Sequence, residues 1–219
     1  MNVKLISITK AEGMTAEQLL VYIARVSNPS NQNNMETADK LLGYLIKNKH
    51  WSPFDMANMC VEVTTSKAIA IQILRHWSIK PQEFSQRYAE VTDIEPIQLR
   101  KAGSTNRQSS VEEFDPLIYI KDGWENHFLA SELVHKHIEY SKLLYKKLLE
   151  AGVAKECARM VLPMATSTTM YLNGSVRSWI HYMEQRCDEH AQLEHQIVAG
   201  LIKDIFKENF PAISLALNL

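Results

Sequence analysis

The sequence has few of the residues that break a compact chain. Its 219 residues include seven glycines and seven prolines, and no Pro-, Gly- or Ser-rich stretch, internal repeat or low-complexity segment divides them. Because 46% of the residues are hydrophobic, the chain can bury a substantial core, which excludes a disordered protein. We therefore expect one domain over residues 1–219.

Long apolar runs are also missing. Nowhere do eighteen apolar residues follow one another, and the apolar start Met1–Ile8 is too short for a signal peptide. These absences predict a soluble cytoplasmic protein that makes no membrane contact. The formal net charge of −1 gives no general attraction to a nucleic-acid polymer, although local basic clusters can hold a small phosphate ligand.

Cysteine is scarce. Cys60, Cys157 and Cys187 are widely spaced and form no CxxC pair, so we predict neither a disulfide framework nor a zinc site, and a reducing compartment. Only Cys187 follows a cation, Arg186, which makes it the one thiol worth testing as a nucleophile. A buried helical thiol is the favoured interpretation of Cys187, and the chain does not look built around a thiolate.

A metal site is not expected either. His190 and His195 are five residues apart, with Glu189 and Glu194 beside them, whereas the H-E-x-x-H motif of zinc hydrolases places its histidines four apart. We predict that these histidines serve helix packing or surface polarity.

Hydrophobic periodicity predicts more helix than strand. Two β-type runs cover Val3–Ile8 and Met59–Thr65. Helical patterns follow Thr15 and Ser66, the second running to about His76, and three more helices are predicted over Glu36–Lys47, from about Glu125 to Glu150 and from about Ser178 to Lys207. The predicted class is α+β, with a helical majority packed on a small mixed or antiparallel sheet.

The densest polar cluster begins at Gln72. In a helix, Gln72, Arg75 and His76 have i, i+3, i+4 spacing, so an amide, a guanidinium and an imidazole share one face that can grip a polar planar ligand. Alternatively, Arg75 and His76 only complement the helix dipole at its C-terminus, as surface cations commonly do.

A second polar pattern follows in the loop after Pro81. Glu83, Ser85 and Arg87 alternate, and residues two apart in an extended segment point the same way. A carboxylate, a hydroxyl and a guanidinium on one side suit a sugar phosphate. The loop therefore favours a ligand site over a plain helix end.

Together these two patterns resemble a family signature. This chain has Arg75-His76-Trp77, then seven residues, and then Ser85. The pattern is similar to the signature of the flavin-dependent thymidylate synthases, which is Arg-His-Arg, then seven residues, and then Ser. Trp77 stands in place of the third signature residue. The resemblance continues in the family's order along most of the chain, in the segments His50–Phe54, Asn106–Gln108, Glu156–Pro163 and Gly174–Glu194.

The last of these segments predicts a helix with two functional faces. Arg177 and His181 are one turn apart and share a face, whereas Arg186 lies about half a revolution away at about 3.6 residues per turn. The helix can thus address two ligands.

Arg159, judged alone, would snorkel or form an ion pair beside an apolar run, and only its place in the family's Arg-x-Val-Leu-Pro element implies a ligand contact.

The resemblance implies a reaction and its cofactors. In this family methylenetetrahydrofolate supplies a carbon to dUMP, reduced FAD delivers hydride to the uracil ring, NADPH reduces the flavin again, and dTMP is formed. It also implies the family's fold and a homotetramer whose active sites are completed by neighbouring subunits.

Family contacts, transferred position by position, imply two sets of site residues. Arg186 is the implied catalytic residue, which would stabilise negative charge on the activated uracil, and Trp77 is expected to stack on an isoalloxazine or pterin ring. Ser85 is assigned to binding, because an isolated serine needs an adjacent base to become nucleophilic. The implied dUMP ligands are Gln72, Arg75, Glu83, Phe84, Ser85, Gln86, Arg87, Arg159 and Arg186. The implied FAD ligands are Ser52, Arg75, His76, Trp77, Ser175, Val176, Arg177 and His181.

Two alternatives stay open: a catalytically inactive homologue that binds flavin or nucleotide, and a structural helical oligomer whose arginines form ion pairs. Flavin absorbance of the purified protein would exclude the oligomer, and dUMP-dependent oxidation of NADPH would separate the enzyme from the inactive binder.

Overall fold

The computed structural model describes residues 1–91, 93–104, 110–121 and 125–219. Strands in these ranges are β1 Asn2–Ile8, β2 Asn58–Ser66, β3 Lys80–Glu83, β4 Arg100–Ala102, β5 Ser110–Glu113, β6 Leu117–Lys121, β7 Glu125–Leu129 and β8 Ser167–Ser175. Helices in the same ranges are α1 Ala16–Ala24, α2 Ala38–Lys47, α3 Lys67–Ile73, α4 Ala130–Glu150, α5 Lys155–Ala158, α6 Val176–Arg186, α7 Leu193–Asn209 and α8 Pro211–Leu217. The predicted α+β class with more helix than strand is confirmed. Within the described ranges, no helix has the length and apolar character needed to cross a bilayer.

Two compact units make up the described chain. The first unit comprises Met1–Thr64, Gln72–Gln82 and Thr169–Leu219, and the second comprises Thr65–Ile71 and Glu83–Thr168. Each unit is assembled from stretches that are separate in sequence. The expectation of one domain over residues 1–219 stays a prediction.

A four-stranded sheet with the order β1-β2-β8-β3 is the framework of the first unit. Strands β1 and β2 are antiparallel, with a register shift between Leu5 and Ser7. Along β2, Met59, Val61 and Val63 are fully buried, because successive side chains of a strand point to opposite faces and this face meets the core. Both strands lie where the sequence alternation predicts them.

Helices α6 and α7 supply much of the aromatic core of the first unit. Trp179, Tyr182 and Phe206 are fully buried, and the Phe206 and Phe210 ring centroids are 4.7 Å apart. The Trp179 indole N–H donates to the carbonyl oxygen of Met59 at 2.9 Å, so its polar atom is satisfied inside the core. Helix α7 packs on both α6 and β1.

The first helices begin at the predicted caps. Thr15 caps α1 through a capping box with Gln18, and the Ser66 hydroxyl accepts a hydrogen bond from the Ile69 N–H at 3.4 Å at the start of α3. Helix α2 begins two residues later than predicted, after Thr37.

Helix α3 is shorter than predicted, and this changes the first polar cluster. It ends at Ile73, because the N–H groups of Arg75 and His76 donate to carbonyl oxygens three residues back and turn the chain. The prediction that Gln72, Arg75 and His76 share one helical face is therefore wrong. Gln72 is still helical, Arg75 is exposed in the turn, and His76 is buried.

The helix predicted from about Glu125 begins at Ala130 instead. The five residues before it form β7, which pairs with antiparallel β6. Asp115, which precedes the hairpin, accepts hydrogen bonds from the Ser131 N–H at 2.8 Å and the Ser131 hydroxyl at 2.5 Å. This carboxylate satisfies N–H groups that the first turn of α4 cannot pair internally.

The helix predicted from about Ser178 to Lys207 is two helices. Helix α6 begins directly after its N-cap, Ser175, whose hydroxyl accepts from the Ser178 N–H at 3.2 Å. Helix α7 follows a turn in which the Asp188 carboxylate accepts from the His190 N–H at 2.8 Å. Apolar periodicity continues through this turn, which is why the sequence alone predicts one helix.

The second unit contains α4, α5 and the antiparallel hairpins β4–β5 and β6–β7. Helix α4 packs on β7 and α5. Its Tyr145 is buried, and the Tyr145 hydroxyl accepts a hydrogen bond from the Val91 N–H at 3.4 Å. The Asn106–Gln108 segment of the family resemblance lies outside the described residues.

Candidate active site

An open cleft of about 500 Å³ lies beside α6 in the first unit. This volume is typical of small-ligand sites, which enclose about 300–1,000 Å³. Three of the implied FAD ligands, Trp77, Arg177 and His181, line it. We call it the α6 cleft, and its other lining residues are Trp51, Asp55, Ser78, Ser178, Ile180 and Glu184.

Asp55 organises one wall of the α6 cleft. One carboxylate oxygen accepts a hydrogen bond from the Ser175 hydroxyl at 2.8 Å, and the other accepts from Arg177 Nη1 at 3.0 Å. Asp55 therefore fixes the α6 cap and the first arginine of α6 at the same time. Sequence reasoning did not identify it, although it directly follows the family-like segment His50–Phe54.

Trp77 and His181 present rings to the α6 cleft. The Trp77 side chain is 83% exposed, which is unusual for a large apolar group and leaves its ring available for stacking on a planar ligand. His181 is also exposed, and its Nε2 atom is 3.0 Å from the Gln185 amide nitrogen, which donates to it. The stacking role of Trp77 stays a prediction.

Two other implied FAD ligands lie differently. Val176 is fully buried, and its N–H donates to the Ala57 carbonyl oxygen at 2.9 Å. The Val176 side chain therefore packs in the core beneath the first turn of α6, and the assignment of Val176 to FAD stays a prediction. Ser52 is exposed at the start of the short 3₁₀ turn Ser52–Asp55.

His76 and Arg186 form the central pair of the first unit. The Arg186 Nε–H donates to His76 Nε2 at 2.8 Å. Burial, reinforced by the positive charges of Arg186, His181 and Arg75, lowers the pKa of His76 to about 4. His76 is therefore neutral at physiological pH, as an acceptor for Arg186 must be.

The Arg186 guanidinium keeps donor groups for a ligand. The residue is half-buried at the C-terminal end of α6, and among the described residues no hydrogen-bond partner meets its two Nη groups. A partly desolvated cation of this kind favours a ligand atom that carries or develops negative charge. This geometry fits the expected roles of Arg186 at dUMP.

His195 is a residue of this region whose hydrogen-bond partners the sequence does not reveal. It is fully buried, with Nε2 3.0 Å from the Tyr182 hydroxyl and Nδ1 3.1 Å from Gln72 Oε1. Burial, together with the charges of Arg186 and His76, lowers the pKa of His195 to about 3. Burial also raises the pKa of the Tyr182 hydroxyl, so both groups are neutral.

The sequence does carry a signal for the burial of His195. Val198 and Ile202 follow it at i+3 and i+7, and both are fully buried, so His195 begins the apolar stripe of α7. Helix packing is thus confirmed for His195, whereas the exposed His190, which pairs with Asp188, has the predicted surface polarity.

The implied dUMP ligands come from both units. Glu83 in the second unit is bound by its neighbours, because its carboxylate accepts hydrogen bonds from Lys67 Nζ at 2.6 Å and from the Thr168 hydroxyl at 2.9 Å. Gln72, Arg75 and Arg186 belong to the first unit, and Glu83, Phe84, Ser85, Gln86, Arg87 and Arg159 belong to the second.

The predicted alternation of Glu83, Ser85 and Arg87 is wrong. Only Glu83 lies in a strand, and the chain then turns, with the Tyr88 N–H donating to the Ser85 carbonyl oxygen at 3.1 Å. Arg87 in this turn forms an exposed ion pair with Glu156 at 3.1 Å. The turn signals in this segment are weak, because no glycine or asparagine marks it.

A smaller cleft of about 210 Å³ in the second unit brings two implied dUMP ligands together. Gln86 and Arg159 both line it, as does Lys67. Gln86 is buried, and its amide nitrogen has no hydrogen-bond partner among the described residues. Arg159 is half-buried, and its Nε–H donates to the Glu156 carbonyl oxygen at 3.3 Å. Gln86 and Arg159 thus give this otherwise largely apolar cleft donors of the kind that bind an anionic group.

Thiol chemistry has no support in the structure. Burial raises the pKa of the thiols of Cys60 and Cys187, so both are protonated at neutral pH. A protonated thiol is a poor nucleophile, which argues against Cys187 in that role.

Comparisons with known proteins show which family the chain resembles. The family model described as thymidylate synthase complementing protein matches residues 4–212. The chain is 48% identical over 222 residues to a probable flavin-dependent thymidylate synthase of Paramecium bursaria Chlorella virus 1, covering 100% of this chain and 99% of that protein. It is 43% identical over 224 residues to the flavin-dependent thymidylate synthase of Synechocystis, covering 100% of both.

The fold also matches a solved structure. The crystal structure of a UMP/dUMP methylase from Streptomyces cacaoi, bound with 5-Br dUMP, superposes with a TM-score of 0.77 over 99% of this chain and 94% of that one. At 22% identity this likeness shows the fold alone. The family match and the two highly similar relatives, each spanning nearly the whole chain, show that this chain belongs to the flavin-dependent thymidylate synthase family.

Proposed function

We propose that this protein catalyses the reductive methylation of dUMP to dTMP, with methylenetetrahydrofolate as carbon donor and NADPH as reductant of FAD. The observation that carries the proposal is the hydrogen-bonding state of Arg186. Its Nε–H donates to the neutral His76, and its two Nη groups have no partner among the described residues. A reaction that builds negative charge on a uracil ring needs a cation placed in this way.

The α6 cleft fits the flavin in chemistry and size. Its volume of about 500 Å³, its exposed indole at Trp77 and its guanidinium at Arg177 provide room, a stacking surface and a partner for phosphate. When bound, FAD supplies the hydride for the uracil ring and methylenetetrahydrofolate supplies the one-carbon unit. Trp77, Arg177, His181 and Ser175 are the residues that we assign to holding it.

Arg186 has a positioning and an electrostatic task. Its Nε–H is fixed by His76, so the guanidinium plane is oriented before the substrate arrives and little reorganisation is needed as charge develops. The partner is neutral, because the pKa of His76 is about 4, and a carboxylate in its place would weaken the pull of the guanidinium on the ring.

The nucleotide phosphate needs donors that the second unit provides. We assign Arg159 and Gln86 to this group, since both line the same small cleft and the Gln86 amide nitrogen has no partner among the described residues. Ser85 and Arg87 complete the set, with Arg87 leaving its exposed ion pair to Glu156 at small cost.

Three further properties belong to the same proposal. We infer that residues 1–219 act as one domain, since a single family model matches residues 4–212. The family resemblance supports a homotetramer whose sites are completed by neighbouring subunits. A cytoplasmic location fits the three free cysteines and the nucleotide and folate substrates.

Activity of the purified protein tests the proposal. Incubated with dUMP, methylenetetrahydrofolate, FAD and NADPH, the wild type should form dTMP, and Arg186→Ala should lower kcat by at least about a hundredfold, as loss of an electrostatic donor commonly does. Arg186→Lys should also be impaired, because lysine keeps the charge but loses the planar fork. Arg100→Ala, outside both clefts, is the matched control and should stay active.

Each alternative predicts a different result in the same assay. Flavin absorbance of the purified protein would exclude the structural oligomer, and a protein that binds FAD and dUMP but forms no dTMP would be the inactive homologue. Full activity in Arg186→Ala would contradict the assigned role of Arg186 and leave the reaction itself in place.

A further inference from the structure

A directed chain of hydrogen bonds runs through the first unit. The Tyr182 hydroxyl meets His195 Nε2 at 3.0 Å, and His195 Nδ1 meets Gln72 Oε1 at 3.1 Å. Gln72 Nε2 then donates to Gln192 Oε1 at 2.6 Å, and Gln192 Nε2 donates to a Glu194 carboxylate oxygen at 2.8 Å. The chain joins a fully buried tyrosine to an acidic group on α7.

The acidic end sets the direction of every bond. An ionised carboxylate only accepts hydrogen bonds, so Glu194 requires the amide nitrogen of Gln192 to face it. The Gln192 oxygen then faces Gln72, which must present its nitrogen to Gln192 and its oxygen to His195. His195 consequently carries its proton on Nδ1 and accepts from the Tyr182 hydroxyl through Nε2.

The ring of His195 is well suited to hold this arrangement. It is fully buried, and its pKa of about 3 keeps it neutral, so a single tautomer can act as donor on one side and acceptor on the other. Tyr182, whose pKa is raised by burial, remains a donor over the same pH range. The Gln72 amide is therefore held through its oxygen.

We propose that His195 is a positioning residue that locks the Gln72 amide with its oxygen turned inward, so that Gln72 offers only N–H groups to the nucleotide. The proposal rests on the proposed function, which assigns Gln72 to dUMP. One hydrogen of the Gln72 amide nitrogen is used by Gln192, and the other has no partner among the described residues. The atom of dUMP that meets Gln72 must then be an acceptor, such as a carbonyl or hydroxyl oxygen.

Binding of dUMP to the FAD-loaded protein tests this role. His195→Leu keeps an apolar side chain of related size but removes the Nδ1–H donor, and we expect its Kd for dUMP to rise about tenfold while its Kd for FAD is unchanged. His195→Asn is the matched rescue variant, because its amide nitrogen can take the place of Nδ1, and its Kd for dUMP should stay within about twofold of wild type.

A double-mutant cycle separates positioning from a general loss of structure. In a Gln72→Ala background, His195→Leu should weaken dUMP binding no further, since the amide that it orients is gone. Additive effects, or failure of His195→Asn to rescue, would overturn the proposal. If His195→Leu does not fold, Tyr182→Phe replaces it in the cycle. We expect Tyr182→Phe to raise the Kd for dUMP about threefold, and to have no effect on this Kd in the Gln72→Ala background. Additive effects of these two substitutions would again overturn the proposal.

The wild type distinguishes the two levels of inference. Wild-type protein that binds dUMP, combined with additive variants, overturns the role of His195 alone. Wild-type protein that binds no dUMP overturns the proposed function and this inference together.

Discussion

At the scale of single residues, Trp77 is the clearest departure from the family pattern. It replaces a signature arginine with a ring that cannot donate bidentate hydrogen bonds but can stack. Its side chain is 83% exposed in a cleft whose other wall carries Arg177 tied to Asp55. We therefore expect a planar ligand to cover this exposed ring.

Replacement of the Trp77 ring should therefore weaken ligand binding without unfolding the protein. We expect Trp77→Ala to raise the Kd for FAD or the half-saturating folate concentration about five- to tenfold, corresponding to roughly 1 kcal/mol of stacking, and Trp77→Phe to recover most of it. Flavin fluorescence titration and folate saturation curves measure both. Tyr140→Ala, which removes another exposed ring, is the control, and unchanged FAD affinity with unchanged folate saturation in Trp77→Ala would refute stacking.

The sequence proposes site residues where they sit in a recognisable order and gives no sign of contacts between residues that are remote along the chain. Trp77, Arg177 and Arg186 were identified because the signature segments name them. The sequence does not reveal the contacts of Asp55 and His195 with Ser175 and Gln72, which lie 120 and 123 positions away along the chain. Periodicity carries no information about such contacts.

At the scale of elements, the N-caps carry both stability and site geometry. Thr15 caps α1 and Ser175 caps α6, each through its own hydroxyl. Only Ser175 also donates to Asp55, the carboxylate that holds Arg177. Both residues therefore cap a helix, but only Ser175 also binds the carboxylate that organises the α6 cleft.

This pair of caps gives an internally controlled prediction. Ser175→Ala and Thr15→Ala should each lower the free energy of unfolding by about 1 kcal/mol, because each leaves an unpaired N–H in a first helical turn. Only Ser175→Ala should also weaken FAD binding severalfold. Urea unfolding and FAD titration of both variants check this, and equal FAD affinities in the two variants would contradict the link between the α6 cap and the cleft.

The elements themselves were predictable where local pattern decides, as in the alternating β2 and the capped α1. Prediction failed at both long helices for different physical reasons. Pairing of β7 with β6 overrides a helical pattern before Ala130, and a side-chain-capped turn at Asp188 interrupts an apolar periodicity that otherwise continues. The prediction of where α3 ends was wrong for a similar reason, because the hydrogen bonds to carbonyl oxygens three residues back that end this helix leave no mark in the sequence.

At the scale of the whole molecule, two buried neutral histidines make folding sensitive to acid. On folding, the pKa of His76 falls from 6.5 to about 4 and that of His195 falls from 6.5 to about 3. Between these values and pH 6.5, both imidazoles are protonated in the unfolded chain and neutral in the native protein. Stability is therefore complete above pH 6.5 and is lost as the pH falls toward 4. The exposed His190, whose pKa is raised by Asp188, acts in the opposite direction.

The free energy of unfolding should accordingly drop by about 3–4 kcal/mol between pH 7 and pH 5, since each of the two rings contributes roughly 1.4 kcal/mol per pH unit below the unfolded pKa of 6.5. Urea denaturation at a series of pH values measures it. His195→Asn should flatten the profile, whereas the exposed His137→Asn should leave it unchanged. A free energy that is constant or rises on acidification would contradict the assignment of neutral buried rings.

The hydrogen-bonded chain that ends at Glu194 has one more consequence. Three bonds separate that carboxylate from the ring of His195, yet its negative charge decides which nitrogen of the ring holds the proton. The hydrogen bonds from Tyr182 to Glu194 therefore all run in the same direction, and the Glu194 carboxylate on α7 sets that direction. If that charge were neutralised, the carboxylate would no longer exclude the reversed chain, in which both glutamine amides are flipped and His195 carries its proton on Nε2.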